Sequence, residues 1–241
     1  MIKIKNVTKK YGKSFVAVKD LSLEIKSGQI FGFIGPNGAG KTTTIKMMTG
    51  VTIPDNGTVT INGINIASDP LEAKKQFGFV PDNPDMFLRL KGIEYLNFIA
   101  DIYDVKKDQR DELITKFSRD FEIEDALNDQ IQTYSHGMRQ KIVLIGALIH
   151  NPKVWILDEP LTGLDPKSSF KLKEMMKQHV KNGNVVFFST HVLEVAEKLC
   201  DRIGIINKGN LVFEGTLSQL RTKYKSSKSL EDIFLEITKD E

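Results

Sequence analysis

Between Gly35 and Thr43 the chain reads Gly-Pro-Asn-Gly-Ala-Gly-Lys-Thr-Thr, directly after the apolar run Gln29 to Ile34. This G-x-x-x-x-G-K-T spacing is that of a triphosphate cradle. Glycines let successive backbone N–H groups turn inward, and a helix starting near Lys41 aims its positive end at the same spot. Gly35, Pro36, Asn37, Gly38, Ala39, Gly40, Lys41, Thr42 and Thr43 are therefore expected to hold phosphates. Within that set Lys41 reaches the β- and γ-phosphates and the Thr42 hydroxyl ligates Mg²⁺. Far along the chain, Asp158 closes the apolar run Val154 to Leu157, where a buried strand meets solvent. A carboxylate there suits Mg²⁺, directly or through water. Glu159 beside it is placed to orient and deprotonate an attacking water, although the acidic pair alone also fits a capping turn ahead of Pro160. His191, after the run Val185 to Ser189, could donate a hydrogen bond to a γ-phosphate. Ser135 reads as a helix N-cap and Gly137 as a point of close backbone approach, so that helix end is a second candidate anion binder. An ordinary capped core helix would read the same.

Periodicity supplies the scaffold for these groups. Ile2 and Ile4 alternate with lysines, and Leu21, Leu23 and Ile25 alternate with polar residues, which predicts strands before the cradle. The cradle helix should end near Gly50, and Asp55-Asn56-Gly57 and Asn62-Gly63 turn the chain around a short strand, Thr58 to Ile61. Helical spacing then takes over in Ile93, Leu96, Ile99 and Tyr103 and again in Leu113, Ile114, Phe117 and Phe121, an all-helical insertion from about 84 to 150. Beyond it, strand and helix alternate: Val154 to Leu157, Pro166 to Val180, Val185 to Ser189, and a helix through Val192, Val195 and Leu199. That alternation predicts a parallel sheet covered by helices. Arg202 to Ile206 and Leu211 to Phe213 flank Lys208-Gly209-Asn210 as a hairpin; Lys225 to Lys228 is a polar linker; Leu230 to Leu235 is a short amphipathic helix. The expected organisation is one α/β domain over 1–224, with 225–241 as linker and terminal helix.

With 241 residues, 40% hydrophobic and 27% charged, the chain can bury a substantial core. No stretch approaches the roughly 18 to 20 apolar residues of a membrane span, and the first residues alternate like a strand. The single cysteine, Cys200, excludes an intramolecular disulfide and is expected to pack on a helix face. These features predict a cytoplasmic location. A net charge of +3, with lysines and glutamates interspersed, gives no basic stripe and hence no expectation of a nucleic-acid partner.

Cradles occur in many enzymes, so further landmarks must discriminate. Tyr134-Ser135-His136-Gly137-Met138-Arg139-Gln140 opens a long apolar helix just ahead of Val154 to Glu159. With the cradle, Asp158-Glu159-Pro160, the loop Leu161 to Asp165, and Ser189-Thr190-His191, the order resembles the ATP-binding cassette (ABC) family through almost the whole chain. The resemblance implies a P-loop NTPase fold with a RecA-like core, an N-terminal antiparallel β lobe and an inserted helical signature subdomain. It also implies ATP as ligand, with Tyr11 as the aromatic that stacks on adenine and His191 as the switch histidine. Two subunits, identical or paralogous, would sandwich two ATP, each Ser135 and Gly137 closing on the nucleotide of the other. A separate integral membrane permease would receive the work, which puts the subunit at the inner face of the cell membrane. Its docking helix is expected in the groove near Asp82 to Ile93. The signature variant and the Leu-Glu-Asp-Ile-Phe-Leu ending resemble exporter-type cassettes.

Two positions depart from the family pattern. Asp82 stands where glutamine is usual; it can still accept from metal-bound water and is expected in the outer shell of Mg²⁺. His136 replaces the first signature glycine and is expected beside the phosphate site, where a protonated ring could assist anion binding. The alternatives from other classes are a soluble ABC ATPase acting on ribosomes or DNA, and an ATP-dependent regulatory switch. Neither the long heptad insertions of the chromosome type nor the paired cassettes of the ribosome type are present.

Overall fold

The computed structural model describes residues 1–12, 14–224 and 229–238. Strands β1 (Ile2–Tyr11), β2 (Phe15–Ile25) and β3 (Gln29–Ile34) lead into helix α1 (Lys41–Met48). Then come β4 (Asn56–Ile61), β5 (Ile64–Asn65), α2 (Pro70–Lys74) and β6 (Phe77–Val80). Three helices, α3 (Gly92–Ile102), α4 (Lys107–Asp120) and α5 (His136–Leu148), precede β7 (Val154–Leu157). The chain continues through α6 (Pro166–Lys181), β8 (Val185–Thr190), α7 (Leu193–Leu199), β9 (Arg202–Asn207), β10 (Asn210–Gly215), α8 (Leu217–Lys223) and α9 (Leu230–Thr238).

The alternating residues near the start build an antiparallel sheet of order β2-β1-β4-β5. Its register sets Ile2 opposite Ile25 and Ile61, and Ile4 opposite Leu23 and Val59, so one face is continuously apolar and buried. The second sheet runs β10-β9-β3-β8-β7-β6, with five parallel strands and β10 antiparallel at one edge. Its central strands β3, β7 and β8 are apolar on both faces, as a sheet covered on both sides requires. Phe31, Phe33 and Phe187 fill the layer between the two sheets, with ring centroids 5.5 to 6.0 Å apart. The hairpin expected at 202–213 is present, and its first strand joins the parallel sheet beside β3. Gly32 in β3 is required by close packing: a Cβ there would lie 2.5 Å from the Cys200 Sγ. Cys200 caps the C-terminus of α7, and burial pushes its thiol pKa up.

The expected helical insertion is occupied by α3, α4 and α5, with α5 its buried centre: nine of its residues are buried. Residues 84–91 are not helical, and Phe87 has φ +52°. The short helices α2 and α8 were not anticipated. Both carry local start signals, Asp69 capping ahead of Pro70 and a Thr216/Gln219 capping box. The polar linker read at Lys225 to Lys228 lies outside the described residues.

Candidate functional site

The loop after β3 cannot carry side chains at two places. A Cβ on Gly35 would overlap the Ile206 carbonyl, and one on Gly40, at φ +110°, would lie 2.5 Å from the Ala17 carbonyl. Glycine at these positions lets the loop wrap tightly under β2 and β9 and deliver the chain into α1. That helix starts without any side-chain cap. Its first-turn N–H groups therefore face a cleft of about 240 Å³, whose lining includes Asn37, Gly38, Gly40, Lys41, Thr42 and Thr43. Buried Lys41 donates to the carbonyls of Gly35 at 2.7 Å and Pro36 at 3.2 Å. Burial lowers its pKa, opposed by the negative charges of Glu159, Asp158 and Asp82 in that order.

The acid side of the cleft comes from β7 and β6. Asp158 extends the all-buried β7, its N–H donating to the Val80 carbonyl at 2.8 Å. Its Oδ1 accepts from the Ser189 hydroxyl at 2.6 Å, and Thr42 also hydrogen-bonds the carboxylate. Burial is the main influence on Asp158 and raises its pKa; the Ser189 and Thr42 bonds pull it back, and the charges of Asp82 and Glu159 push it up. Glu159 turns the chain with φ +48°, and its N–H donates to the Ser189 Oγ at 3.0 Å. Ser189 thus fixes both acids from β8. The Glu159 Oε2 lies 3.0 Å from His191 Nδ1, which joins the candidate base to the candidate switch. Asp82 lines the same cleft.

Among the described residues no three His, Cys, Asp or Glu converge on one metal position. An ion that takes one or two carboxylates and completes its shell with substrate phosphates and water does not require such a cluster. The oxygens of Thr42, Asp158 and Asp82 beside an uncapped helix start suit a hard cation carried with a polyphosphate.

Other residues fall elsewhere. Ser135 and Gly137 do not line the cleft; they begin α5, where Ser135 accepts from the Met138 N–H at 3.2 Å. Tyr134, in the place of the usual leucine, is buried and donates its hydroxyl to the Ala126 carbonyl at 2.6 Å. Tyr11 is 41% exposed and has the Lys9 ammonium 5.8 Å from its ring centroid, but it does not line the cleft. Phe15, paired directly opposite Tyr11 and 59% exposed, does. The His136 ring packs against Gly163 of its own chain: a Cβ on Gly163 would overlap His136 Cδ2. Sequence reasoning gave Phe15 no role and took Ser189 and Gly163 only as members of family landmarks, without a role of their own. For Ser189 the available signal was a hydroxyl ending an otherwise apolar strand.

The family model described as ABC transporter matches residues 18–162. The ABC-type transporter ATP-binding protein EcsA of Bacillus subtilis (strain 168) is 34% identical over 100% of this chain and 98% of its own. The linearmycin resistance ATP-binding protein LnrL of the same organism is 36% identical, over 91% of this chain and 70% of its own. Of solved structures, an ATP binding subunit of an ABC transporter aligns with TM-score 0.94 and 31% identity over 99% of both chains. A dimeric ATP-binding cassette in a post-hydrolysis state, bound to ADP and Pi, aligns with TM-score 0.82 and 26% identity, covering 90% of this chain and 99% of that one. The matched span runs from Val18 in the first sheet to Thr162, just past the acidic pair, and so takes in the cradle and the serine-capped helix together; the chain belongs to the ABC transporter family as an ATP-binding subunit.

Proposed function

We propose that the chain hydrolyses ATP, dimerises around two ATP and drives a separate membrane permease in the export direction. The observation that carries this reading is the joined constellation at the mouth of the cleft: Glu159 on His191, both acids on Ser189, opposite Lys41 and an uncapped helix start. In it, the loop from Gly35 to Thr43 binds the phosphates, and Lys41 exchanges its two carbonyl partners for phosphate oxygens. Thr42 and Asp158 would hold Mg²⁺, with Asp82 beside them in the same cleft. When bound, such an ion would neutralise charge on the phosphates. Glu159 takes the proton of the attacking water, oriented by His191. The adenine lies at the β1–β2 end where Tyr11 and Phe15 face each other, Phe15 being the one that lines the cleft.

The dimeric neighbour with ADP and Pi supports the two-subunit arrangement. Since Ser135 and Gly137 stand away from their own cleft, their anion-binding end is free to close on a partner's γ-phosphate. Hydrolysis removes that charge and releases the closure; about 5.5 kcal/mol of preference would carry a two-state equilibrium from 1:99 to 99:1. Among the described residues no helix is long and apolar enough to cross a membrane. In this reading the permease is another chain, and the subunit is peripheral on the inner face of the cell membrane. Its docking helix would occupy the apolar cleft between α3, α5 and β6, lined by Met86, Phe87, Tyr95, Ile99, Tyr103 and His150. The export direction draws support from the signature variant and from the resistance named for LnrL.

The test is Glu159→Gln. ATPase rate should fall about 10²- to 10⁴-fold while ATP binding is retained, because the fold and cradle are untouched. With Mg²⁺ and ATP the variant should elute at twice its monomer mass, and with ADP at monomer mass. An unchanged rate would sink the assignment of Glu159.

A further inference from the structure

Helix α5 presents Ser135 and Gly137, and the same turns grip the 160–165 loop of their own chain. Gln140 Nε2 donates to the Pro160 carbonyl at 3.5 Å, and Lys141 Nζ lies 2.8 Å from Asp165 Oδ2. Between these anchors sits the contact at Gly163, whose φ of +78° turns the loop toward α5. A Cβ there would overlap His136 Cδ2 and lie 2.9 Å from Nε2; a Cβ on Gly137 would lie 2.6 Å from the Gly163 carbonyl oxygen. The imidazole therefore fills the space a side chain at 163 would need. Residues 136, 137, 140 and 141 share one helix face, so the loop is held along its length.

The two ends of that loop matter. Thr162 N–H donates to the Glu159 carbonyl at 3.1 Å, closing the turn that carries the candidate base. Asp165 caps α6, accepting from the Ser168 N–H at 2.8 Å, and Lys141 first, then Ser168, holds its carboxyl well below the usual range. The loop is fixed at Asp165 and at Glu159, and the His136 seat lies between them.

We propose that His136 is a positioning residue for Glu159: its ring, seated on Gly163, sets the 160–165 loop and so links the helix end at Ser135 to hydrolysis in the same chain's cleft. The proposal rests on the dimeric ATPase reading above. It assigns the departure from glycine at 136 a packing role and pairs it with the absence of a side chain at 163.

The experiment is a set of variants of the full chain assayed with Mg²⁺ and ATP. His136→Ala should lower kcat about 10-fold with KM for ATP within about 2-fold, whereas His136→Phe, which keeps a planar ring on Gly163, should stay within about 3-fold of the parent. Gly163→Ala should also lower kcat about 10-fold. Combined with His136→Ala, the added methyl no longer meets the imidazole, although the φ of +78° at Gly163 still strains an alanine, and the loss should be smaller than the product of the two single losses. In the Glu159→Gln background, His136→Ala should still form the ATP-bound dimer. Equal losses for Ala and Phe at 136, multiplicative losses in the double variant, or failure of that dimer to form would each overturn the proposal. If Gly163→Ala does not fold, the Ala and Phe comparison at exposed position 136 still decides. Failure of the underlying reading looks different: the parent would then show no ATPase sensitive to Glu159→Gln.

Discussion

Ser189 is the residue on which both acids depend. Its hydroxyl donates to Asp158 and accepts from the Glu159 N–H, so Ser189→Ala leaves a buried carboxylate and a backbone donor each short of a partner. The expected stability cost is about 1 to 3 kcal/mol, read as a lower urea midpoint. A second consequence follows from charge. The hydrogen bond favours the ionised Asp158, so without it the already raised pKa rises further. Protonated Asp158 is a poor cation ligand; the acid limb of the ATPase profile should therefore move to higher pH in Ser189→Ala, with more Mg²⁺ needed for half-maximal rate at fixed pH. An unmoved acid limb would refute the coupling. The cradle was legible in the sequence because Gly35 and Gly40 answer to backbone sterics that admit one residue type. Ser189 was not, since a serine at a strand end is compatible with many environments, and its partners Asp158 and Glu159 lie 31 and 30 residues upstream in sequence. The aromatic beside the cleft was only half-legible: the tyrosine before Gly12 lies directly opposite Phe15 in the β1–β2 pair, but the sequence pattern could not say that Phe15 and not Tyr11 lines the cleft.

At the level of elements, two histidines tie helices to the parallel sheet. His150, just beyond α5, stacks on Tyr103 at 3.6 Å between ring centroids and places Nε2 3.3 Å from the Phe77 carbonyl. His179, on α6, stacks on Trp155 of β7 at 4.1 Å. Burial lowers both to about 4, against the ordinary value of 6.5. Between those limits the unfolded chain binds protons that the folded chain excludes, so stability rises with pH across this window and is lost as pH falls from about 6.5 to 4. Each histidine contributes a slope of up to about 1.4 kcal/mol per pH unit. Urea unfolding at pH 7 and pH 5 should show this drop, and His179→Gln should flatten it. The long elements were readable because they repeat a period over many residues: the apolar face of α5 and the alternating strands of the first sheet are examples. α2 and α8, of five and seven residues, present too few turns for a period to emerge. Only their caps mark them, and cap residues are frequent in loops as well.

For the molecule as a whole, the question is how events at the cleft reach another chain. The segment from Asp82 to Lys91 leaves the acid side of the cleft and arrives at the groove between the sheet and the helical layer, so one stretch of backbone touches both. Arg139 of α5 holds this segment through Asp85 at 2.7 Å, while its guanidinium also donates to the Gln132 carbonyl at 2.8 Å. At the groove, Phe87 is 45% exposed and stands over Tyr95 and Phe98 at 5.4 and 5.7 Å. Phe98 and Ile102 extend the exposed apolar surface along α3. The sequence expectation was a docking groove near Asp82 to Ile93; of that segment Met86 and Phe87 line the apolar cleft, together with Tyr103 at the end of α3 and His150 just beyond α5, which the expectation did not include. This exposed apolar surface is where a partner chain would dock in the reading proposed above. If it seats a permease helix, Phe87→Asp should leave ATP hydrolysis by the purified subunit within about 3-fold of the parent, because position 87 contributes nothing to the nucleotide cleft. The same change should strip the subunit from washed membranes, lowering the sedimenting fraction about 10-fold, since a charge buried at such a contact costs more than the roughly 1.4 kcal/mol that a tenfold change requires. Full retention on the membrane, with Phe87→Asp folded and active, would mean that the partner docks elsewhere.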